Sequence, residues 1–162
     1  MQQQMFDTKG FRKTLGQFPT GVTIITTLSE QGEPIGMTAS SFNSVSMDPP
    51  LILWSIDHKA HSLQIFEQCE HFAVNILSAQ QLALSNLFAS TGADKFKDTE
   101  FNRGIGDIPL LKECAAQLEC RTWNTYAGGD HTIIVGEVLN YHHDDTSNAL
   151  AFYRGDYAKV NG

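Results

Sequence analysis

The sequence is short of positive charge. Eleven Lys and Arg residues stand against 18 Asp and Glu, a formal charge of −7 over 162 residues. The basic residues are scattered and form no run. Nucleic acids and anionic membranes are gripped by clustered Lys and Arg, so this balance argues against either as a partner. Cysteine is scarce too: Cys69, Cys114 and Cys120. An odd count without short paired spacing builds neither a disulfide framework nor a zinc knuckle. Unpaired thiols suit a reducing compartment, and the polar stretch Met1 to Phe6 carries no apolar signal region, so the cytoplasm is the expected location. No run approaches the roughly 18 apolar residues of a membrane helix. The chain also lacks a phosphate-binding P-loop, a Gly-x-Gly-x-x-Gly turn and a nucleophile elbow. Its histidines make no metal set. His142 and His143 are adjacent and point to opposite faces of a strand. His58 and His61 are three apart, with no Cys or carboxylate pattern to complete a coordination sphere.

What is present is globular: 41% apolar and 18% charged residues. The length suits one domain, residues 1–162, and a chain of this size buries roughly 70% of its unfolded surface. Asp7 to Phe18 reads as a helix, with Phe11, Leu15 and Phe18 on one stripe and Pro19 ending it. The period then turns strand-like. Gly21 to Leu28 is rich in Val, Ile and Thr, and a turn at Ser29 to Gly32 leads into Ile35 to Phe42, predicting a hairpin. Asp48, Pro49 and Pro50 form a break at an edge or corner, where Asp48 reads as structural. Strands are expected at Leu51 to Ile56, Phe72 to Leu77, Ala115 to Trp123 and His131 to Tyr141. Ser62 is placed to cap a helix from His61 to Gln68, and Ser78 with Gln81 has capping-box spacing for a helix to about Ala89. Thr91 to Asn102 reads as a polar loop, and Leu150 to Val160 closes the chain. Both faces of His131 to Leu139 are apolar, which suits an antiparallel barrel covered outside by helices or a partner.

Four places could carry chemistry. Gly36 to Ser44 places small residues and hydroxyls where a flat ligand could approach backbone N–H groups, although Ser and Thr also populate ordinary strand ends. Ser62 with Lys59 is either an anion site at a helix start or a plain cap with an exposed Lys. Asp94, Lys95 and Phe96 lie in a loop long enough for binding, where a lone Lys is usually just solvated. Gly128 to His131 delivers His131 to the start of a strand beside Asp130, as a tuned group or a structural one.

Taken together these strings resemble the flavin reductase family of the FMN-binding split barrel. The resemblance rests on Gly21 to Thr27 (GVTIITT), Gly36 to Ser44 (GMTASSFNS), Asp48 to Leu51 (DPPL), Trp54 with Ser55, and Phe72 to Leu77 (FAVNIL). It continues through Asp94 to Phe96, Gly129 to His131, Gly136 to Val138 and Tyr153 to Tyr157 (YRGDY). It implies a mainly β, six-stranded antiparallel Greek-key split barrel with a few peripheral helices, forming a homodimer with flavin near the interface. It also implies hydride transfer from NADH or NADPH to FMN or FAD, with reduced flavin supplied to a separate oxygenase, as in the two-component monooxygenases of 4-hydroxyphenylacetate and phenols. Within that pattern Thr38, Ala39, Ser40 and Ser41 would line the flavin ring and ribityl chain. Ser55, Ile56, Asp57 and Asn75 would complete the cradle, Ser62 and Lys95, beside Phe96, would meet the phosphate, and His131 and Tyr157 would face the nicotinamide. Flavin carries the redox chemistry, which fits a chain with no triad or carboxylate dyad. The absence of an Arg cluster for a ribose 2′-phosphate leans towards NADH. The competing expectations are an FMN-dependent oxidase or flavin-dependent ferric reductase on the same barrel, a non-catalytic flavin-binding protein, and a barrel for single-stranded nucleic acid. The acidic charge disfavours the last.

Overall fold

The β-branched runs of the sequence do become strands. The structure, a computed structural model, describes residues 5–92 and 94–161. The order is α1 Thr8–Leu15, β1 Thr20–Gly21, β2 Thr23–Leu28, β3 Pro34–Ala39, β4 Asn43–Met47, β5 Pro50–Asp57, α2 Leu63–Gln68, β6 His71–Ile76 and α3 Leu82–Ala89. It continues with β7 Phe101–Arg103, β8 Pro109–Leu111, β9 Ala116–Gly128, β10 His131–His143, β11 Leu150–Tyr153 and β12 Asp156–Lys159. Seven strands form one antiparallel sheet in the order β3-β2-β6-β9-β10-β5-β4, beside a three-stranded sheet β1-β11-β12 and the small hairpin β7-β8.

The mainly β split barrel is therefore present, with two differences from expectation. The sheet has seven strands, not six, and its ladder does not close. The extra strand is β4, which turns back on β5 through Asp48 and a cis Pro49. Proline at 49 and 50 signalled the edge correctly, but the hydroxyl-rich segment before it hid a strand. Across the split, a side chain two residues past the end of β3 reaches β5. Ser41 Oγ accepts from the Ser55 N–H at 2.9 Å and donates to the Ser55 carbonyl at 3.0 Å.

The inside of the curl holds Ile25, Ile52, Trp54, Ile56, Phe66, Phe72 and Ile134. Trp54 meets Phe66 edge-on at 4.9 Å, the preferred geometry for two rings with opposed quadrupoles. Gly136 is required here, because any Cβ would collide with the Phe72 ring. A second cluster, Val22, Ile24, Leu77, Phe88, Leu111 and Leu150, seats α3 and the closing hairpin on the outside.

Local signals largely hold. Asp7 caps α1 by accepting from the Lys9 and Gly10 N–H groups, both at 3.1 Å. The Ser78–Gln81 capping box forms, opening with a short 3-10 turn. Ser62 occupies the cap position of α2 but donates to Met37 Sδ at 3.7 Å instead of capping. Two readings fail. The stripe Phe11, Leu15 and Phe18 faces solvent, with Phe18 75% exposed. Leu139 is also exposed, because a bulge between Val138 and Asn140 turns it out of the strand pattern. β9 runs past Trp123 to Gly128, with a second bulge at Trp123 itself. No helix among the described residues is long and apolar enough to cross a membrane.

Candidate flavin and nicotinamide site

β3 is an edge strand that bonds only to β2, so half of its backbone N–H and C=O groups face away from any ladder. Along that free edge runs an open groove of about 520 Å³. One wall is β3 from Pro34 to Thr38, another is the loop Lys59 to Ser62 ahead of α2, and the third is the end of α3 with the segment through Lys95 and Phe96. The close approach of β3 to α3 depends on Gly36: a Cβ there would lie 2.7 Å from Phe88 Cε1. Thr38 Oγ1 then ties the two elements by donating to the Ser85 carbonyl at 2.7 Å.

Two lysines and several hydroxyls dominate the polar lining of the groove. Lys59 and Lys95 border it with His61, Ser62, Ser90 and Thr91, and one exposed carboxylate, Asp94, stands beside Lys95. In a chain of net charge −7 that concentration of donors is local and suits an anionic ligand end. Lys95 Nζ donates to the Phe88 carbonyl at 3.0 Å and reaches the Gly36 carbonyl at 3.5 Å. Partial burial lowers its pKa from the ordinary lysine value. Phe96 has turned inward, meeting Phe88 at 5.0 Å and Phe101 at 5.4 Å, so it braces the wall.

Of the residues singled out from the sequence, Thr38, Ser62, Lys95 and Phe96 line this groove. Ala39, Ser40 and Ser41 continue past its end along the seam towards Ser55. Ala39 is packed inward, its carbonyl accepting from Thr23 Oγ1 at 2.7 Å, while Ser40 is exposed. Ile56 is wholly in the core, so only its backbone is available. Asp57 is exposed and accepts from the Lys59 N–H at 2.8 Å, shaping the rim. Asn75 must be withdrawn from the site. It is 0% exposed, and its four hydrogen-bonding directions are filled from within the chain. Its amide donates to the Ile24 carbonyl and Thr26 Oγ1, and its oxygen accepts from the Leu111 N–H and Gln117 Nε2.

His131 begins β10 opposite Asp57, beyond the groove rim. Its Nδ1 lies 2.7 Å from Asp130 Oδ1. That hydrogen bond, with the charge of His131, holds the Asp130 carboxyl below its usual range. Tyr157 sits elsewhere, its hydroxyl 2.8 Å from Ser85 Oγ and 2.9 Å from Asn86 Oδ1. It reaches the groove only through Ser85, which Thr38 also holds. The thiols are not poised for reaction: burial pushes Cys120 up to about 12 and Cys114 up to about 11. Sequence reasoning singled out neither Ser90, the C-cap of α3, nor Thr91, the first residue of the expected loop.

The donor set and the flat backbone edge fit a flavin: hydroxyls and cations at one end, a bare strand edge along its length. Comparison with known proteins agrees. Residues 15–161 match the family described as flavin reductase like domain. The chain is 41% identical over 155 residues to an FMN reductase (NADH), SmoA, of Agrobacterium fabrum, covering 96% of this chain and 87% of that protein. It is 38% identical over 146 residues to the reductase component of a flavin-dependent trigonelline monooxygenase of Acinetobacter baylyi, covering 90% of this chain and 47% of that longer protein. The solved structure of the NADH:FAD oxidoreductase SgcE6 of Streptomyces globisporus, in complex with NAD and FAD fragments, superposes with a TM-score of 0.90 at 35% identity, covering 98% of both chains.

Proposed function

We propose how this chain, which belongs to the flavin reductase family, passes hydride from NADH to FMN or FAD: the flavin lies along the free edge of β3, its phosphate end towards Lys95 and Ser62, and NADH enters from the His131 turn. The enzyme is an NADH-dependent flavin reductase that supplies reduced flavin to a separate monooxygenase. The observation that carries the placement is the groove itself, which joins an unpaired strand edge to a cluster of cations and hydroxyls.

Bound flavin supplies the redox chemistry. The chain supplies position. β3 offers backbone N–H and C=O groups to the polar edge of the ring, fixed in direction by the β2 ladder. Lys95, already held over the groove by two carbonyls, needs little reorganisation to meet a phosphate. Asp130 fixes the His131 ring through Nδ1 and leaves Nε2 free to contact the dinucleotide. His131 orients NADH and moves no proton.

His131→Ala tests the assignment by steady-state NADH oxidation. The KM for NADH should rise by roughly tenfold, the size expected for loss of one good polar contact, with flavin affinity nearly intact. A variant that loses flavin binding and keeps its KM for NADH overturns the role. Anaerobic stopped-flow oxidation of NADH with FMN, FAD and riboflavin in turn ranks the flavins.

The reading includes a homodimer. Leu51, Leu53 and Ile133 point outward from β5 and β10 and stay only half-buried, and the α1 stripe is bare. Apolar surface of this extent favours a second copy. Light scattering on the purified protein tests it. The cytoplasm remains the proposed location, supported by three free thiols.

A further inference from the structure

Beside the groove lies a polar chain that the flavin placement leaves unused. Thr132, 6% exposed, follows His131 on β10. Its Oγ1 donates to Glu67 Oε2 on α2 at 3.1 Å, and lies 3.1 Å from Nε2 of His58 in the loop after β5. The direction of these bonds follows by counting protons. A hydroxyl has one, and an ionised carboxylate only accepts. Thr132 therefore spends its proton on Glu67 and must accept from His58, which fixes the His58 proton on Nε2. The His58 backbone N–H also donates to the Asp130 carbonyl at 2.9 Å. Asp130 thus works twice, through its carboxylate on His131 and its carbonyl on His58.

Three elements meet in this chain: α2, β10 and the loop that continues into Lys59 to Ser62 on the groove rim. We propose that Thr132 is a positioning residue, its hydroxyl pinned between His58 and Glu67 so that the turn carrying His131 is fixed against the flavin groove at the angle NADH requires. The proposal rests on the placement of NADH at His131 given above. It explains why a buried position on a strand facing a hydrophobic core carries a hydroxyl: valine has the same branched shape but cannot accept from His58.

Thr132→Val and Thr132→Ser test this by steady-state kinetics in NADH and in FMN. The valine variant should raise the KM for NADH about fivefold, the effect of one hydrogen bond of typical net strength, with kcat and the KM for FMN within about twofold of wild type. Serine, which restores the hydroxyl, should return the KM for NADH to near wild type. An unchanged KM for NADH in the valine variant, equal weakening of both substrates, or serine behaving like valine overturns the proposal. Should Thr132→Val not fold, the exposed His58 gives the same comparison: His58→Gln keeps a donor and should resemble wild type, His58→Leu should not, and equal behaviour of the two overturns it. A readout independent of activity is the ring ¹H–¹⁵N correlation spectrum, where His58 should show the Nε2–H tautomer; an Nδ1–H tautomer overturns the chain. Failure of wild type to oxidise NADH with any flavin would instead sink the functional placement and leave the spectrum standing.

Discussion

Asn75, on β6 of the curled sheet, and Lys95, in the turn after α3, are both partly or wholly enclosed polar side chains, and they differ in what is left over. Asn75 spends both amide protons and both lone pairs inside the chain, joining β6 to β2, β8 and β9. Lys95 spends two of its three protons on carbonyls, one of them at a long 3.5 Å, and stays half-buried over an open groove. The first arrangement is saturated and dry. The second is held in place yet still has donor capacity facing solvent. In this fold a polar residue marks a binding site when its protein partners leave it unfinished, not merely when it is polar and in the right segment.

Asn75→Leu gives that contrast its largest test. The substitution strands the buried Leu111 N–H and takes an acceptor from Gln117, so denaturant unfolding should show a loss of about 3–5 kcal/mol, the range for breaking a buried network. The KM for FMN of the molecules that remain folded should not move. Loss of flavin affinity with stability unchanged would put Asn75 back in the cradle and dissolve the distinction.

Lys95→Met sharpens it from the other side. Methionine keeps the stem and its packing on the Phe88 ring, which the ammonium overlies at 6.0 Å, but removes the charge. Unfolding free energy should fall by no more than about 1 kcal/mol, the net worth of the hydrogen bond to the Phe88 carbonyl, since the open groove lets water reach the freed oxygen. The KM for FMN should rise at least tenfold, the worth of a charge-assisted hydrogen bond to phosphate at about 1.5–3 kcal/mol. Riboflavin, which has no phosphate, should be unaffected. Equal weakening of FMN and riboflavin would show that Lys95 shapes the groove and does not meet the phosphate.

The difference between these two residues was not legible in the sequence. Local signals were: the Ser78–Gln81 box, the hairpin turn at Ser29 to Gly32 and the Gly129–Asp130 turn all depend on neighbours within a few positions. Thr38, Ser62 and Lys95, named through the resemblance, do come together on one groove, because each of its three walls is built from a contiguous string. The resemblance did not show that Asn75 is saturated, because the donors to its oxygen lie about forty positions on: Gln117 sits opposite it on β9, and Leu111 is brought in by a β7-β8 hairpin that no periodicity announced. The α1 stripe misled for a related reason. Spacing shows that a face is apolar, but not whether the same chain or another copy covers it.

The smallest expected effect concerns the seam. The Asn75 wall is held by continuous ladders, whereas the hydrogen bonding between the end of β3 and β5 runs, among the described residues, through the hydroxyl of Ser41. Ser41 is exposed, so in Ser41→Ala water can satisfy the freed Ser55 groups, and the global cost should be at most about 1 kcal/mol, one net hydrogen bond. The local consequence should be clearer than the global one. Opening of a weakly tied edge is a separate event from unfolding of the ladder, so amide exchange at Ser55 should quicken while exchange at Val74 and Leu111 keeps its wild-type rate. Faster exchange at all three would mean that the seam and the saturated wall open as one unit, and that the split of this barrel has no independence for a ligand to use.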